Sequence, residues 1–155
     1  MELYEIRKKN GISQLEAAKI LHVSRRSYQS YELRQGANRD KYDYLCERLE
    51  KAFLIDEEHG ILTVNDIRKR VLAVLAGYEY RSVYLFGSYS KGKAGPKSDV
   101  DLLIDTDVTG IDFFGLAEDL REKLGKKVDL LNLDQFVKNK ELMSEVLHDG
   151  VRLDG

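Results

Sequence analysis

Two aspartates, Asp99 and Asp101, stand at alternate positions at the head of the apolar run Val100, Leu102, Leu103 and Ile104. Side chains along a strand point to alternate faces, so this spacing predicts both carboxylates on the same face. Carboxylates so placed can share one divalent cation. Magnesium uses one or two of them and leaves its other positions to water and phosphate oxygens. Alone, an Asp-x-Asp pair reads better as the solvated face of an edge strand. The apolar neighbours predict a strand covered on both sides, where unpaired carboxylates are costly and a bound cation relieves the cost.

Upstream, Ser82-Val83-Tyr84-Leu85-Phe86 reads as a short buried strand that stops at Gly87. Glycine permits a tight turn and close approach of a ligand to the backbone. Ser88 adds a hydroxyl and opens a short helical turn whose N–H groups can face an anion. Lys91, with Lys93 and Lys97 further along, could offset phosphate charge; Tyr78, Tyr80, Tyr84 and Tyr89 read as core and rim, with a border of the nucleotide as the alternative for Tyr89. A third acid, Asp129, lies in the run Lys127-Val128-Asp129-Leu130-Leu131. Beside the Asp99 strand it would either complete a metal site or accept a proton from an attacking hydroxyl.

These residues need a frame to hold them. Thr63 predicts the cap of a helix to Ala76, ended near Gly77; Asp112 to Leu124 predicts another, ended by Gly125; Glu141 to His148 supplies most of the last. With the strands between them the order is α+β. The N-terminal part is different. Ser13-Gln14-Leu15-Glu16 fits a capping box, and Leu15, Ala18 and Leu21 form the expected buried stripe of the helix it starts. His22-Val23-Ser24 then turns the chain, and Ser24 caps a second short helix through Leu33. Such a pair predicts a helix-turn-helix unit. Its second helix would expose Arg25, Arg26, Gln29 and Ser30, with Val23, Tyr28 and Tyr31 inward. Arginine and glutamine read guanine and adenine edges in the major groove. Lys41 to Ile55 predicts a further helix with Tyr44, Leu45, Leu49 and Phe53 on one side, and the polar run 56–60 reads as a linker. The expected domains are therefore residues 1–58, an all-α helix-turn-helix bundle, and 62–155, a small mixed sheet flanked by helices.

Charge follows the same division. Residues 1–41 carry nine Lys or Arg against five Asp or Glu, a balance of +4, which leaves −6 for the remainder and −2 in total. A modest basic front suits a DNA-reading module whose affinity is salt-sensitive and needs a dimer or a partner complex. No apolar run approaches the roughly 20 residues that span a bilayer, and no signal pattern opens the chain, so a cytoplasmic protein without membrane attachment is expected. Cys46, the only cysteine, reads as a small buried hydrophobe, and it forms no zinc-ligand spacing with His22, His59 and His148.

The Gly-Ser turn, the Ser98-Asp99-x-Asp101 strand and the later Asp129 resemble the minimal nucleotidyltransferases of the DNA polymerase beta-like superfamily, over roughly residues 63–152. That resemblance implies transfer of a nucleoside monophosphate from a triphosphate with loss of pyrophosphate, using Mg²⁺. By it Gly87, Ser88 and Lys91 would hold the triphosphate, and Asp99, Asp101 and Asp129 would be the catalytic and metal-binding carboxylates. Lys91 stands where arginine is frequent in the family, keeping the charge and losing the bidentate fork. The N-terminal part is similar to the repressor-type helix-turn-helix domains of the Xre class. That likeness implies Gln14 on a phosphate and Arg25, Arg26, Gln29 and Ser30 at the DNA face, and His22 stands where glycine is usual. Histidine is among the few other residues that tolerate positive φ.

The combination resembles antitoxins of paired systems with a HEPN-type ribonuclease toxin. It implies transfer of AMP from ATP to a toxin tyrosine, operator binding for autoregulation, and a homodimer or a hetero-oligomer with the toxin. Two rival readings use the same residues. One is a non-enzymatic DNA-binding regulator whose transferase-like domain senses nucleotide or binds toxin; the other is a nucleotidyltransferase for a small molecule such as an aminoglycoside.

Overall fold

The computed structural model describes residues 1–34 and 38–155. The chain forms two compact units, Met1–Leu54 and Ile55–Gly155.

The first unit is helical, built from α1 (Leu3–Lys9), α2 (Gln14–Leu21), α3 (Arg25–Glu32) and α4 (Arg39–Ala52). The expected capping box starts α2: Ser13 Oγ accepts the Glu16 N–H at 3.1 Å, and Glu16 returns a carboxylate oxygen to the Ser13 N–H at 2.7 Å. His22 ends the helix in the left-handed region, φ 56°, and Ser24 caps α3 through the Ser27 N–H. Leu3, Ile6, Ala17, Ala18, Leu21, Tyr28, Tyr42, Leu45, Cys46 and Leu49 close the core. Two expectations for this core fail. Leu15 is exposed, because the α2 stripe is Gln14, Ala17, Ala18 and Leu21 at helical spacing, with a half-buried glutamine in its first place. Tyr44 is exposed for the same reason: the inward row of α4 is Tyr42, Leu45, Cys46 and Leu49.

The second unit is a four-stranded mixed sheet in the order β3-β2-β1-β4, with β1 (Ser82–Phe86), β2 (Val100–Asp105), β3 (Val128–Asn132) and β4 (Val151–Arg152). β1 runs antiparallel to β2 and β4, and β2 parallel to β3. Its helices are α5 (Val64–Leu75), α6 (Gly110–Leu124), α7 (Leu133–Val137) and α8 (Lys140–Asp149). Thr63 and Asp66 form a reciprocal cap for α5, and Gly125 ends α6 at φ 68°. The short α7 and β4 were not anticipated: β4 is two residues long, and α7 follows directly on β3.

Strand alternation assigns the two faces of the sheet. Val83, Leu85, Val100, Leu102, Ile104, Val128 and Leu130 pack with α5 and α6 residues in the main core. Tyr84, Phe86, Leu103 and Leu131 face the other way, where Phe136 of α7 and Val146 of α8 cover them in a smaller cluster. This second layer is partial. The expectation of strands covered on both sides therefore holds at Leu103, whereas Asp99 and Asp129 are exposed. Residues 56–60 form a hydrogen-bonded turn in which Asp56 Oδ1 accepts the N–H groups of Glu58 and His59 at 2.9 and 2.8 Å. Among the described residues no helix is long and apolar enough to cross a membrane.

Candidate functional site

β2 carries Asp101 as its second residue, with Phe86 of β1 opposite on one side and Asp129 of β3 in register on the other. In-register neighbours of a sheet point to the same face, so Asp101 and Asp129 stand side by side on the partly covered face. Asp99 lies just before β2, two residues from Asp101, and its carboxylate is near enough to act on that of Asp101. The turn after β1 arrives at this end of the sheet. Gly87 has φ 74°, and a Cβ there would collide with Asp101 Oδ2. Only glycine satisfies both conditions.

The turn is closed by its own backbone. Lys91 N–H donates to Gly87 O at 3.2 Å, Lys93 N–H to Ser88 O at 3.0 Å, and Ser90 Oγ to Gly87 O at 2.8 Å. Among the described residues nothing accepts the N–H groups of Ser88, Tyr89 or Ser90. Successive free amides in a tight turn form an anion-binding concavity. Tyr89 does not border this concavity; its ring is buried in the main core.

Electrostatically the site is under-compensated. Burial, then the neighbouring carboxylates of Asp129, Asp99 and Glu145, push the Asp101 carboxyl up to about 6, with Lys91 the opposing charge. Among the described residues none of Asp99, Asp101 and Asp129 forms an ion pair. Hard oxygen donors with excess negative charge are the chemistry that Mg²⁺ takes, with water and phosphate completing its shell. The three side chains do not converge as they stand, since no group of three or more His, Cys, Asp or Glu among the described residues is close enough to hold a metal ion. Asp101 and Asp129, in register on neighbouring strands, are the two carboxylates that could serve a cation whose other positions go to water and phosphate.

Sequence reasoning missed Glu145. This α8 residue holds Lys91 Nζ at 2.7 Å and thereby raises the lysine's pKa, so Lys91 is half-engaged by protein. The two are 54 residues apart. No local pattern signals such a contact.

In the first unit Arg25 and Arg26 are exposed and unpaired among the described residues, whereas Gln14, Gln29 and Ser30 are half-buried. Gln29 Nε2 donates to Gln14 Oε1 at 3.1 Å, and Gln14 Nε2 lies 3.4 Å from Glu32 Oε1. Glu32 in turn receives Arg7 through two bonds, at 2.9 and 2.8 Å. The two glutamines are thus fixed relative to one another from inside, an arrangement the sequence did not disclose.

Residues 69–153 match the family described as polymerase beta, nucleotidyltransferase, and residues 3–37 match a helix-turn-helix family. A candidate protein adenylyltransferase of Methanocaldococcus jannaschii is 33% identical over 92 residues, which cover 57% of this chain and 93% of that one. The protein adenylyltransferase MntA of Thermococcus cleftensis is 35% identical over 81 residues, 50% of this chain and 75% of that one. Among solved structures, a toxin-antitoxin complex with AMP-PNP aligns at 28% identity and a TM-score of 0.49, covering 56% of this chain and 71% of the other.

Proposed function

We infer the function from the premise that this chain belongs to the polymerase beta nucleotidyltransferase family. We propose that it is a protein adenylyltransferase that moves AMP from ATP onto a tyrosine hydroxyl of a HEPN-type ribonuclease toxin, and so serves as that toxin's antitoxin. One observation carries the reading: the free amides of the Gly87 turn and the under-compensated carboxylates of Asp101 and Asp129 lie at the same end of one sheet. Phosphate finds N–H donors on one side, and a divalent cation finds carboxylate oxygens on the other. The relatives named protein adenylyltransferases support a protein acceptor.

In this mechanism the amides following Gly87 and the Ser88 hydroxyl hold the triphosphate. Asp99, Asp101 and Asp129 would hold Mg²⁺, which when bound neutralises phosphate charge and aids the leaving oxygen. The acceptor oxygen attacks the α-phosphorus in line, and a new P–O bond forms as the α–β bridging bond breaks. Pyrophosphate leaves with that electron pair. Asp129, exposed beside Asp101, accepts the hydroxyl proton. Lys91 exchanges Glu145 for a phosphate oxygen as nucleotide arrives.

The first unit supplies a second activity in this reading, operator binding. Arg25 and Arg26 contact bases, Ser30 and the linked Gln14 and Gln29 complete the face, and the complex with toxin represses their common promoter. The test is to mix purified chain, ATP, Mg²⁺ and the helical product of the neighbouring gene, then weigh both proteins. A gain of AMP on the partner, lost in Asp101→Asn, is expected. No gain on any protein, with promoter binding intact, would replace this reading by that of a non-enzymatic regulator.

A further inference from the structure

Lys126 lies between Gly125, the end of α6, and β3, and it is 1% exposed. Among the described residues no carboxylate forms an ion pair with its ammonium, and Asp56 acts on it only at longer range. Three backbone carbonyls accept from it: His59 at 3.0 Å, Gly60 at 2.6 Å and Pro96 at 2.6 Å. A buried ammonium is tolerated only where its donors are met, and here each of its N–H groups has one oxygen.

The acceptors are informative. His59 and Gly60 belong to the turn already fixed by Asp56, whose N–H also donates to His59 O at 3.0 Å. Pro96 sits in the tight turn that precedes the carboxylates, where Ser98 N–H donates to Gly95 O at 3.1 Å and Gly95 N–H to Ser98 Oγ at 2.8 Å. Past Asp99, Val100 N–H donates to the carbonyl of Lys127 at 2.9 Å. Two consecutive residues therefore hold the chain on both sides of Asp99: Lys126 through Pro96 before it, and Lys127 through Val100 after it. Asp101 has strand partners on both sides, whereas Asp99 lies outside the ladder and has no such support.

We propose that Lys126 is a positioning residue for Asp99, its three-carbonyl clasp fixing the Gly95–Ser98 turn so that the Asp99 carboxylate is presented to the cation of the nucleotide complex. This rests on the transferase reading above. The role needs a compact ammonium with three separately aimed donors, which a planar guanidinium does not reproduce.

The experiment compares the full chain with Lys126→Met and Lys126→Arg, each first shown to be folded by its thermal transition. Amide hydrogen exchange, which needs no nucleotide, is expected to quicken at Lys97–Val100 in Lys126→Met by tenfold or more while Leu102–Ile104 is unchanged. Binding of Mn²⁺ with a non-hydrolysable ATP analogue, followed by loss of the free-ion electron paramagnetic signal, is expected to weaken about tenfold in Lys126→Met and about threefold in Lys126→Arg. In an Asp99→Asn background the Lys126→Met change should add little. If exchange at Lys97–Val100 stays at the parent rate, or Mn²⁺ binds the variant as tightly as the parent, or the weakening persists in full without Asp99, the proposal is overturned. Should Lys126→Met not fold, Lys126→Arg alone carries the same three readouts. A parent that binds no Mn²⁺ with the analogue would instead overturn the transferase reading, and the exchange data would still report whether Lys126 holds the turn.

Discussion

In the first unit the buried guanidinium of Arg7 meets both oxygens of Glu32, and its remaining nitrogen reaches Ile12 O at 3.3 Å. In the second unit the half-buried carboxylate of Asp101 faces two other aspartates and a turn of free amides. Both places take charge out of water. The first is closed by protein, so it holds α1 against α3 and steadies the glutamines in between. The second is left open, and its imbalance is relieved by a proton on Asp101 or, in the proposed reading, by a bound cation. Charge that fixes architecture is satisfied internally; charge that meets a ligand carries a cost until the ligand arrives.

The contrast can be broken most directly at Asp101. Asp101→Asn is expected to lower AMP transfer by about a thousandfold, as for loss of a group that stabilises transition-state charge. The same change should leave the fold unharmed or raise its stability by roughly 1 kcal/mol, because it removes a repelling charge that is half-exposed. Partner mass and thermal unfolding measure the two effects. A destabilised variant would mean that Asp101 is structurally paired and that the two regions are alike.

Glu32→Ala tests the other side. It strands Arg7 in the core, and breaking a buried pair costs about 3 kcal/mol, read by urea unfolding of the first unit. Asp101→Asn should not move that transition. The sign of the pH dependence is set by Arg7, whose hydrogen bonds hold the Glu32 carboxyl below its ordinary value. A depressed folded value makes the pair's contribution complete above the unfolded carboxyl value of 4.5, and the contribution disappears as pH falls through the folded value. The first unit should therefore keep its stability from neutral pH down to about 5 and lose it below.

What was legible in the sequence shares one property: it is local. Ser13 with Glu16, Thr63 with Asp66, and Gly125 announce helix ends because a cap is satisfied within a few residues. The apolar run after Asp99 disclosed the strand that carries Asp101, because strands alternate; Asp99 itself falls just before it. The α2 stripe was misread at one position for an instructive reason. Helical spacing pointed to Gln14 as its first member, but apolarity pointed to Leu15, and a glutamine can occupy an inward place only because Glu32 and Gln29 meet its amide. Arg7 with Glu32 and Lys91 with Glu145 were invisible, being 25 and 54 residues apart. Asp129 could be named from its apolar strand, yet its register with Asp101 required the parallel pairing of β2 with β3.

Gly87→Ala sharpens the comparison with a smaller effect. The methyl group would have to displace the Asp101 carboxylate, and an alanine at φ 74° is itself strained. The expected cost is about 2 kcal/mol of stability in the second unit, with transfer reduced more than tenfold because both the turn and Asp101 move. A fully active Gly87→Ala variant would separate the turn from the carboxylate.

The smallest effects belong to the proposed DNA face, where the exposed and the internally held residues can be set against each other. Arg25→Ala or Arg26→Ala should weaken operator binding by about 1–3 kcal/mol where a bidentate base contact is lost, relaxing base preference without changing the unfolding transition. Gln29→Ala should act differently. Its amide is bonded to Gln14, and Gln14 reaches toward Glu32, so the change would remove a proposed DNA contact and also loosen the support of the Gln14 side chain. Each hydrogen bond is worth about 1 kcal/mol, so a loss of roughly that size in both operator affinity and urea stability is expected. Combining Gln29→Ala with Gln14→Ala should then cost less than the two singles added together, because each removes the same bond. Strict additivity of the two glutamine changes would show that each acts alone, and the extension of the Arg7–Glu32 cluster toward the proposed DNA face would fall.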